Sequence, residues 1–305
     1  MSVMPLVKGL SVEGMNQHAP SVENVVCNAY WKKMQLKAGG PIEANNDIDH
    51  FIASGKPGVV RMFMGTHSPD WVLQLAGTYV EIDSNPGAPS VTATCPRWWT
   101  TQYQAAAADF ISKLQAKYDG KISMIFIANN MTLYAEIFQR ATGSDVTRAN
   151  LVHAGYTAIE DQASYMATFN SFRGWKSTRL GMAVTPWQFV KPDGTAGTDV
   201  LFTNTMIDKF KAVFPSQAVL QNNSIRYPAV AGQYTALYDH MTKSGLPLQF
   251  QTATSARIGV LPGAYADTIR WAIGKGASRI ELSDGFQTAL TATQLVAFDK
   301  ALRSA

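Results

Sequence analysis

Gly58-Val59-Val60-Arg61-Met62-Phe63-Met64 is apolar but for one arginine and breaks into Thr66-His67-Ser68-Pro69-Asp70-Trp71. A second run, Ile122-Ser123-Met124-Ile125-Phe126-Ile127-Ala128, breaks in the same way into Asn129-Asn130. Apolar runs that stop in polar and aromatic residues suit a parallel α/β barrel, whose strands present their ligand-facing groups at the C-terminal ends. Arg61 adds a constraint. A guanidinium inside an apolar strand needs a buried carboxylate or a ligand beside it.

Working outward, short runs of this kind recur at Leu6 to Val12, Val25 to Tyr30, Leu180 to Thr185, Ala218 to Gln221, Leu246 to Gln251 and Ser278 to Leu282. With the first two they make eight strand candidates, most too apolar to alternate, as expected of parallel strands covered on both faces. Between them the spacing turns helical: Ile48, Phe51 and Ile52; Phe110, Leu114 and Tyr118; Met206, Phe210, Val213 and Phe214; Leu237 and Met241. Thr291 and Gln294 form a capping box ahead of Leu295, Phe298 and Leu302. The stretch from Gly14 to Asn24 is short, polar and weakly periodic, so the first unit is the least regular. The Gly, Pro, Ser and Thr-rich excursion from Gly77 to Pro96 reads as a loop or hairpin over the rim. The expectation is one α/β domain spanning 1–305, a (β/α)8 TIM barrel with that excursion after its third strand.

At 305 residues and 46% hydrophobic content the chain has ample material for a core. Its net charge of +4 is spread thinly, with Lys32-Lys33 the adjacent basic pair, so no nucleic-acid footprint is expected. No apolar stretch of about twenty residues occurs, which argues against an ordinary membrane-spanning helix. Met1 to Leu10 lacks the charged start and long apolar run of a secretory signal, so synthesis and retention in a cytoplasm is expected. Cys27 and Cys95 read as reduced thiols. His18, His50, His67, His153 and His240 form no short ligand pair, and neither a phosphate loop nor a nucleophile elbow is present. No metal and no cofactor are expected.

What remains at predicted strand ends is aromatic and amide: Trp31, Trp71, Trp98, Trp99, Asn129, Asn130, Tyr134, Trp187, Gln221, Asn222, Asn223 and Gln251. Sugars ask for this mixture, since a pyranose stacks its C–H face on an indole and pairs its hydroxyls with amides and carboxylates. Large aromatics also pack barrel against helix, which is the competing reading for each tryptophan. Trp98 and Trp99 are adjacent, so on an extended segment one can be core while the other faces outward. Glycoside hydrolysis needs two carboxyl groups. Glu136 and Glu281 are the best placed, with Asp284 beside the latter and Asp70, Glu81 and Asp83 as further acids after the third strand. Each is equally readable as a surface charge or salt-bridge partner.

Trp31-Lys32-Lys33-Met34-Gln35, Ser68-Pro69-Asp70-Trp71, Pro96-Arg97-Trp98-Trp99 and Ile122 to Glu136 resemble the clan of retaining glycoside hydrolases with (β/α)8 barrels, nearest its β-galactosidase-like members. With Gln249-Phe250-Gln251-Thr252 and Ile280-Glu281-Leu282, their order is similar to barrel-containing minor tail proteins of phages infecting actinobacteria. The resemblance implies a virion tail component that binds, and in some versions cleaves, host-surface glycan, with carbohydrate and other tail proteins as partners. It also implies a glutamate at the fourth strand's Asn-Glu pair and another ending the seventh. Here those places hold Asn129-Asn130 and Gln251. Amides hold a sugar but neither donate a proton as a tuned acid nor attack an anomeric carbon. The expectation is therefore either a tail barrel that holds glycan, with or without residual cleavage, or a free glycoside hydrolase acting on β-linked sugars with Glu136 as acid/base and Glu281 as nucleophile. Under both, Trp31, Arg61, His67, Trp71, Trp98, Trp99, Asn129, Asn130, Tyr134, Trp187, Asn222, Gln251 and Asp284 are the candidate sugar contacts. A purely structural virion barrel is the third reading.

Overall fold

The computed structural model describes residues 2–14, 22–83, 91–129, 136–139, 141–227, 233–259 and 263–305. Eight strands close into a parallel barrel in chain order: β1 (Gly9–Glu13), β2 (Asn24–Tyr30), β3 (Gly58–Phe63), β4 (Met124–Phe126), β5 (Arg179–Ala183), β6 (Ala218–Ile225), β7 (Leu248–Thr252) and β8 (Ala277–Leu282). All eight match candidates read from the sequence. Closure is made by β1 on β8, with Gly9 opposite Arg279 and Ser11 opposite Glu281.

Alternation along each strand sorts the side chains into two compartments. Outward residues such as Val60, Met62, Ile125, Leu180, Met182, Leu220 and Phe250 form one continuous core with the surrounding helices. Inward, Val26, Val59, Met124, Phe126, Ala183 and Val219 make a second, smaller apolar cluster, with Val7 from the segment before β1. That segment is tied across the floor, where the Met4 amide donates to the Ser177 carbonyl at 2.7 Å and Arg179 Nε donates to the Met4 carbonyl at 2.8 Å. Gly181 is required on this inner face, because a β-carbon there would lie 2.8 Å from the Phe126 ring.

The helices begin where their caps dictate. Asn46 accepts from the Ile48 and Asp49 amides to start Asp47–Ala53, and Thr100 and Thr157 cap Thr101–Tyr118 and Ala158–Phe172. The capping box of Thr291 and Gln294 starts the closing helix Ala292–Ser304. Ile52 departs from its expected place: it is exposed, and Ile48 and Phe51 alone carry the buried stripe of their short helix.

The excursion after β3 is a hairpin, Thr78–Asp83 against Val91–Pro96. One edge is covered by the helix Asp145–His153, where Asn150 Nδ2 donates to the Val80 carbonyl at 2.9 Å and the Ile82 amide donates to Thr147 Oγ1 at 2.8 Å. A second hairpin, Trp187–Val190 against Ala196–Asp199, follows β5 and was not anticipated. Its signal was Pro192-Asp193-Gly194: Asp193 accepts from the Thr195 amide at 2.9 Å and Gly194 sits at φ 81°.

Candidate functional site

Above its apolar floor the barrel turns polar. The inward register places Ser11 and Glu13 on β1, Asn28 and Tyr30 on β2, Arg61 and Phe63 on β3, Gln221 and Asn223 on β6, Gln249 and Gln251 on β7, and Arg279 and Glu281 on β8. Arg279 is fully buried and uses neutral acceptors: Nε donates to Gln249 Oε1 at 2.8 Å, Nη1 to Ser11 Oγ at 2.8 Å and Nη2 to Gln221 Oε1 at 2.7 Å. Burial pulls its pKa down to about 10 while the Glu281 charge opposes that shift, so it remains a cation at neutral pH.

One level higher, Arg61 meets the partner its sequence context demanded. Its Nη2 donates to Glu281 Oε2, and the two side chains are 4% and 1% exposed. Gln251 Nε2 donates to the other oxygen, Oε1, at 3.0 Å. The second arm of Arg61, Nη1, lies 3.5 Å from Asn28 Oδ1 and 3.5 Å from Glu13 Oε2, while Asn28 Nδ2 donates to Glu13 Oε1 at 2.7 Å. Across the mouth, buried Glu136 accepts from Asn223 Nδ2 at 3.2 Å, and Asn223 Oδ1 accepts from Gln221 Nε2 at 2.6 Å. A continuous hydrogen-bonded path thus runs from Glu136 through Asn223 and Gln221 to Arg279.

Tyr30 and Phe63, two residues beyond Asn28 and Arg61 on the same inward face, stack with ring centroids 5.1 Å apart. His67 meets both edge-on, at 4.9 and 5.3 Å, and Lys33 Nζ lies 4.8 Å from the Tyr30 ring centre. All three rings are half-buried. Burial first, then the charges of Lys32 and Lys33, hold the His67 pKa down to about 4, so its ring is neutral. Tyr30, Phe63 and Glu13 were not among the residues expected from sequence; the period-two step from Asn28 to Tyr30 and from Arg61 to Phe63 was their signal.

Most of the expected tryptophans lie elsewhere, for a shared physical reason: their indole N–H groups have protein acceptors away from the mouth. Trp31 is fully buried, stacked on Phe110 at 4.9 Å, and donates to Gln35 Oε1 at 3.0 Å. Trp71 donates to the Gln35 carbonyl at 3.1 Å and packs edge-on against Trp31. Trp98 and Trp187, both buried, donate to the two oxygens of Asp161 at 3.0 and 2.8 Å, and Tyr156 adds a bond at 2.9 Å. Asp161 therefore fastens both hairpins to the helix Ala158–Phe172, its carboxyl held above the usual range by burial against the opposing pull of these donors. Trp99 is half-buried, edge-on to Trp98 and Tyr156, so the adjacent pair does split between core and surface.

Asn129 faces the helices, accepting from Gln104 Nε2 at 3.1 Å and donating to Ser164 Oγ at 3.3 Å. Asn222 is on the outward face of β6, donating to the Val184 carbonyl at 2.7 Å and accepting from the Tyr238 hydroxyl at 2.9 Å. Asp284 is exposed just beyond β8, with Ser255 N–H on its carbonyl at 3.0 Å. Asn130 and Tyr134 lie outside the described residues. Of the expected set, the structure brings Arg61, His67, Gln251, Glu136 and Glu281 to the mouth. No group of three or more histidine, cysteine or acidic side chains able to hold a metal occurs among the described residues, nor is any described helix long and apolar enough to cross a membrane.

No family model matches this sequence, and no curated protein matches it. Among solved structures the chain is similar to an endo-beta-1,4-glucanase from Xanthomonas axonopodis pv. citri carrying a triple mutation, with a TM-score of 0.52 and 9% identity over 98% of this chain and 100% of that one. A second endo-beta-1,4-glucanase from the same organism matches with a TM-score of 0.52 and 8% identity over 98% and 99% of the two chains. At such identity the likeness is one of fold. The chain is a (β/α)8 barrel of the architecture these glycoside hydrolases have.

Proposed function

We propose that the barrel mouth binds a glycan without cleaving it, and that the chain is a single barrel, 1–305, serving as a minor tail protein that holds a phage on its host's surface polysaccharide. The observation that carries the non-cleaving reading is the state of Glu281. A nucleophile must reach an anomeric carbon, yet Oε2 is held by Arg61, Oε1 by Gln251, and the side chain is sealed from solvent. By the resemblance, amides at Gln251 and Asn130 stand where the clan has glutamates. Binding is supported by the half-buried Tyr30–Phe63–His67 cluster beside a fixed set of amides and acids, the chemistry a sugar's C–H faces and hydroxyls require. The tail setting rests on the order of the sequence motifs.

The test pairs binding with turnover on mycobacterial arabinogalactan, galactan, arabinan and β-1,4-glucan oligosaccharides. Binding by calorimetry with no release of reducing ends is expected. Cleavage lost in both Glu136→Gln and Glu281→Gln would establish instead a hydrolase using those two carboxylates, and absence of both binding and cleavage would leave a structural barrel. The tail assignment predicts that the purified protein blocks phage adsorption to host cells.

A further inference from the structure

We infer that Glu13 is the specificity-determining contact of the mouth, and that what it takes is a neutral vicinal diol; this rests on the glycan-binding reading above. The other two acids of the network are closed off: the Glu281 side chain is 1% exposed and Glu136 is 2% exposed. The Glu13 side chain, at the inward end of β1, is 51% exposed. It is also fixed in place. Asn28 Nδ2 donates to Oε1 at 2.7 Å, and Arg61 Nη1 lies 3.5 Å from Oε2. A carboxylate offers about four lone-pair directions, so with one strong bond and one long ionic contact among the described residues, each oxygen keeps an acceptor direction that no described residue takes. Two adjacent acceptors on a rigid group match two adjacent hydroxyl donors.

The surroundings select among donors. A metal ion or ammonium group approaching Oε2 would meet the Arg61 guanidinium already beside it, and a carboxylate or phosphate ligand would be repelled by Glu13 itself. A neutral hydroxyl meets neither penalty, and its hydrogen bond to an ionised acceptor is of the stronger kind. The neighbouring half-buried rings of Tyr30 and Phe63 offer apolar contact to the C–H groups of the same sugar. Tyr30 follows Asn28 on β2 by two residues, so the ring and the amide that holds Glu13 share one face.

The experiment measures calorimetric binding of arabinogalactan, galactan, arabinan and β-1,4-glucan oligosaccharides to wild type, Glu13→Gln and Glu13→Asp, each polysaccharide also after periodate oxidation, which destroys vicinal diols. Glu13 is half exposed, so the variants are expected to unfold at the wild-type denaturant midpoint. The expected result is affinity weakened by about tenfold or more in Glu13→Gln, as a neutral acceptor replaces a charged one, an intermediate loss in Glu13→Asp, and no wild-type binding to the oxidised polymer. Wild-type binding that survives in Glu13→Gln, or that survives oxidation, overturns this inference while leaving the glycan-binding reading intact. Wild type that binds none of the polysaccharides overturns both.

Discussion

Replacing Arg61 by methionine removes the cation from a pair whose members are 4% and 1% exposed, and leaves the Glu281 carboxylate facing the barrel interior. Breaking a buried pair on one side costs about 3–5 kcal/mol, because the surviving charge has lost its counter-ion but not its burial. Two features place Arg61→Met at the lower end, about 3 kcal/mol: Gln251 still donates to Glu281 Oε1, and the Arg279 cation still acts on Glu281. Glu281→Met is milder, about 1–2 kcal/mol, since Arg61 retains Asn28 and the half-exposed Glu13. The double substitution removes both charges and fills the space with thioethers of similar length, so its loss is smaller than the sum of the two by about 2 kcal/mol or more. Urea titrations of the four proteins, compared at constant m-value, read these differences directly. A loss of less than about 1 kcal/mol for Arg61→Met, or strict additivity in the double variant, would refute the account of a sealed, mutually dependent pair.

Asp161→Ala strands two buried indole N–H groups and one phenol. At about 1–3 kcal/mol for each unmet donor, less the relief of no longer burying a carboxylate, the expected loss is about 2–4 kcal/mol by urea titration; a loss under 1 kcal/mol would remove Asp161 as the fastening point of the hairpins. For His67 the folded pKa of about 4 lies below the ordinary value near 6.5, so between those pH values the unfolded chain takes a proton that the folded one refuses. Stability is therefore lost as pH falls from 6.5 to 4, by about 1 kcal/mol once solvent screening of the half-exposed ring is allowed for, and His67→Gln should flatten that part of the stability curve. Burial pushes the Cys27 thiol up to about 12 and the Cys95 thiol well above its ordinary range, and both are free. Native protein at pH 8 should resist alkylation, with both thiols labelled only in denaturant; rapid native labelling would contradict their burial.

The barrel was legible because buried parallel strands are continuous apolar runs, and eight of them leave few alternatives. The strand read furthest short, β6, shows the limit of that rule. Asn222, Asn223 and Ser224 look like a turn, and Ser224 does take φ 62° beside a register shift, yet the strand continues to Ile225 because Tyr238, Val184, Gln221 and Glu136 satisfy the two amides. Arg61 was readable for a different reason: a lone charge in an apolar strand states its own requirement, and Glu281 meets it from the far side of the chain. The tryptophans were not readable, because an indole beside a strand end has the same sequence context whether its N–H meets a sugar or a carboxylate. The acceptor that decides Trp98 is Asp161, and only the folded helix Ala158–Phe172 brings it near. Glu13 was hidden for a related reason. A single acid ending a short strand acquires meaning only when β1, β2 and β3 lie side by side and bring Asn28 and Arg61 to it.

Under the function proposed above, the arrangement of charge inside the mouth is what would separate binding from cleavage. Cleaving a glycosidic bond requires carboxyl groups whose contacts change between ground state and transition state, one attacking or activating water and one passing a proton. Glu281 is committed to Arg61 and Gln251 before any ligand arrives, so a developing oxocarbenium ion would have to draw that carboxylate away from a guanidinium already neutralising it. Glu13 is the accessible acid on β1, and its partners among the described residues, the Asn28 amide and the same guanidinium, do not pass a proton. On that proposal these groups would hold a sugar equally from arrival to departure, and uniform contact of that kind yields affinity rather than rate.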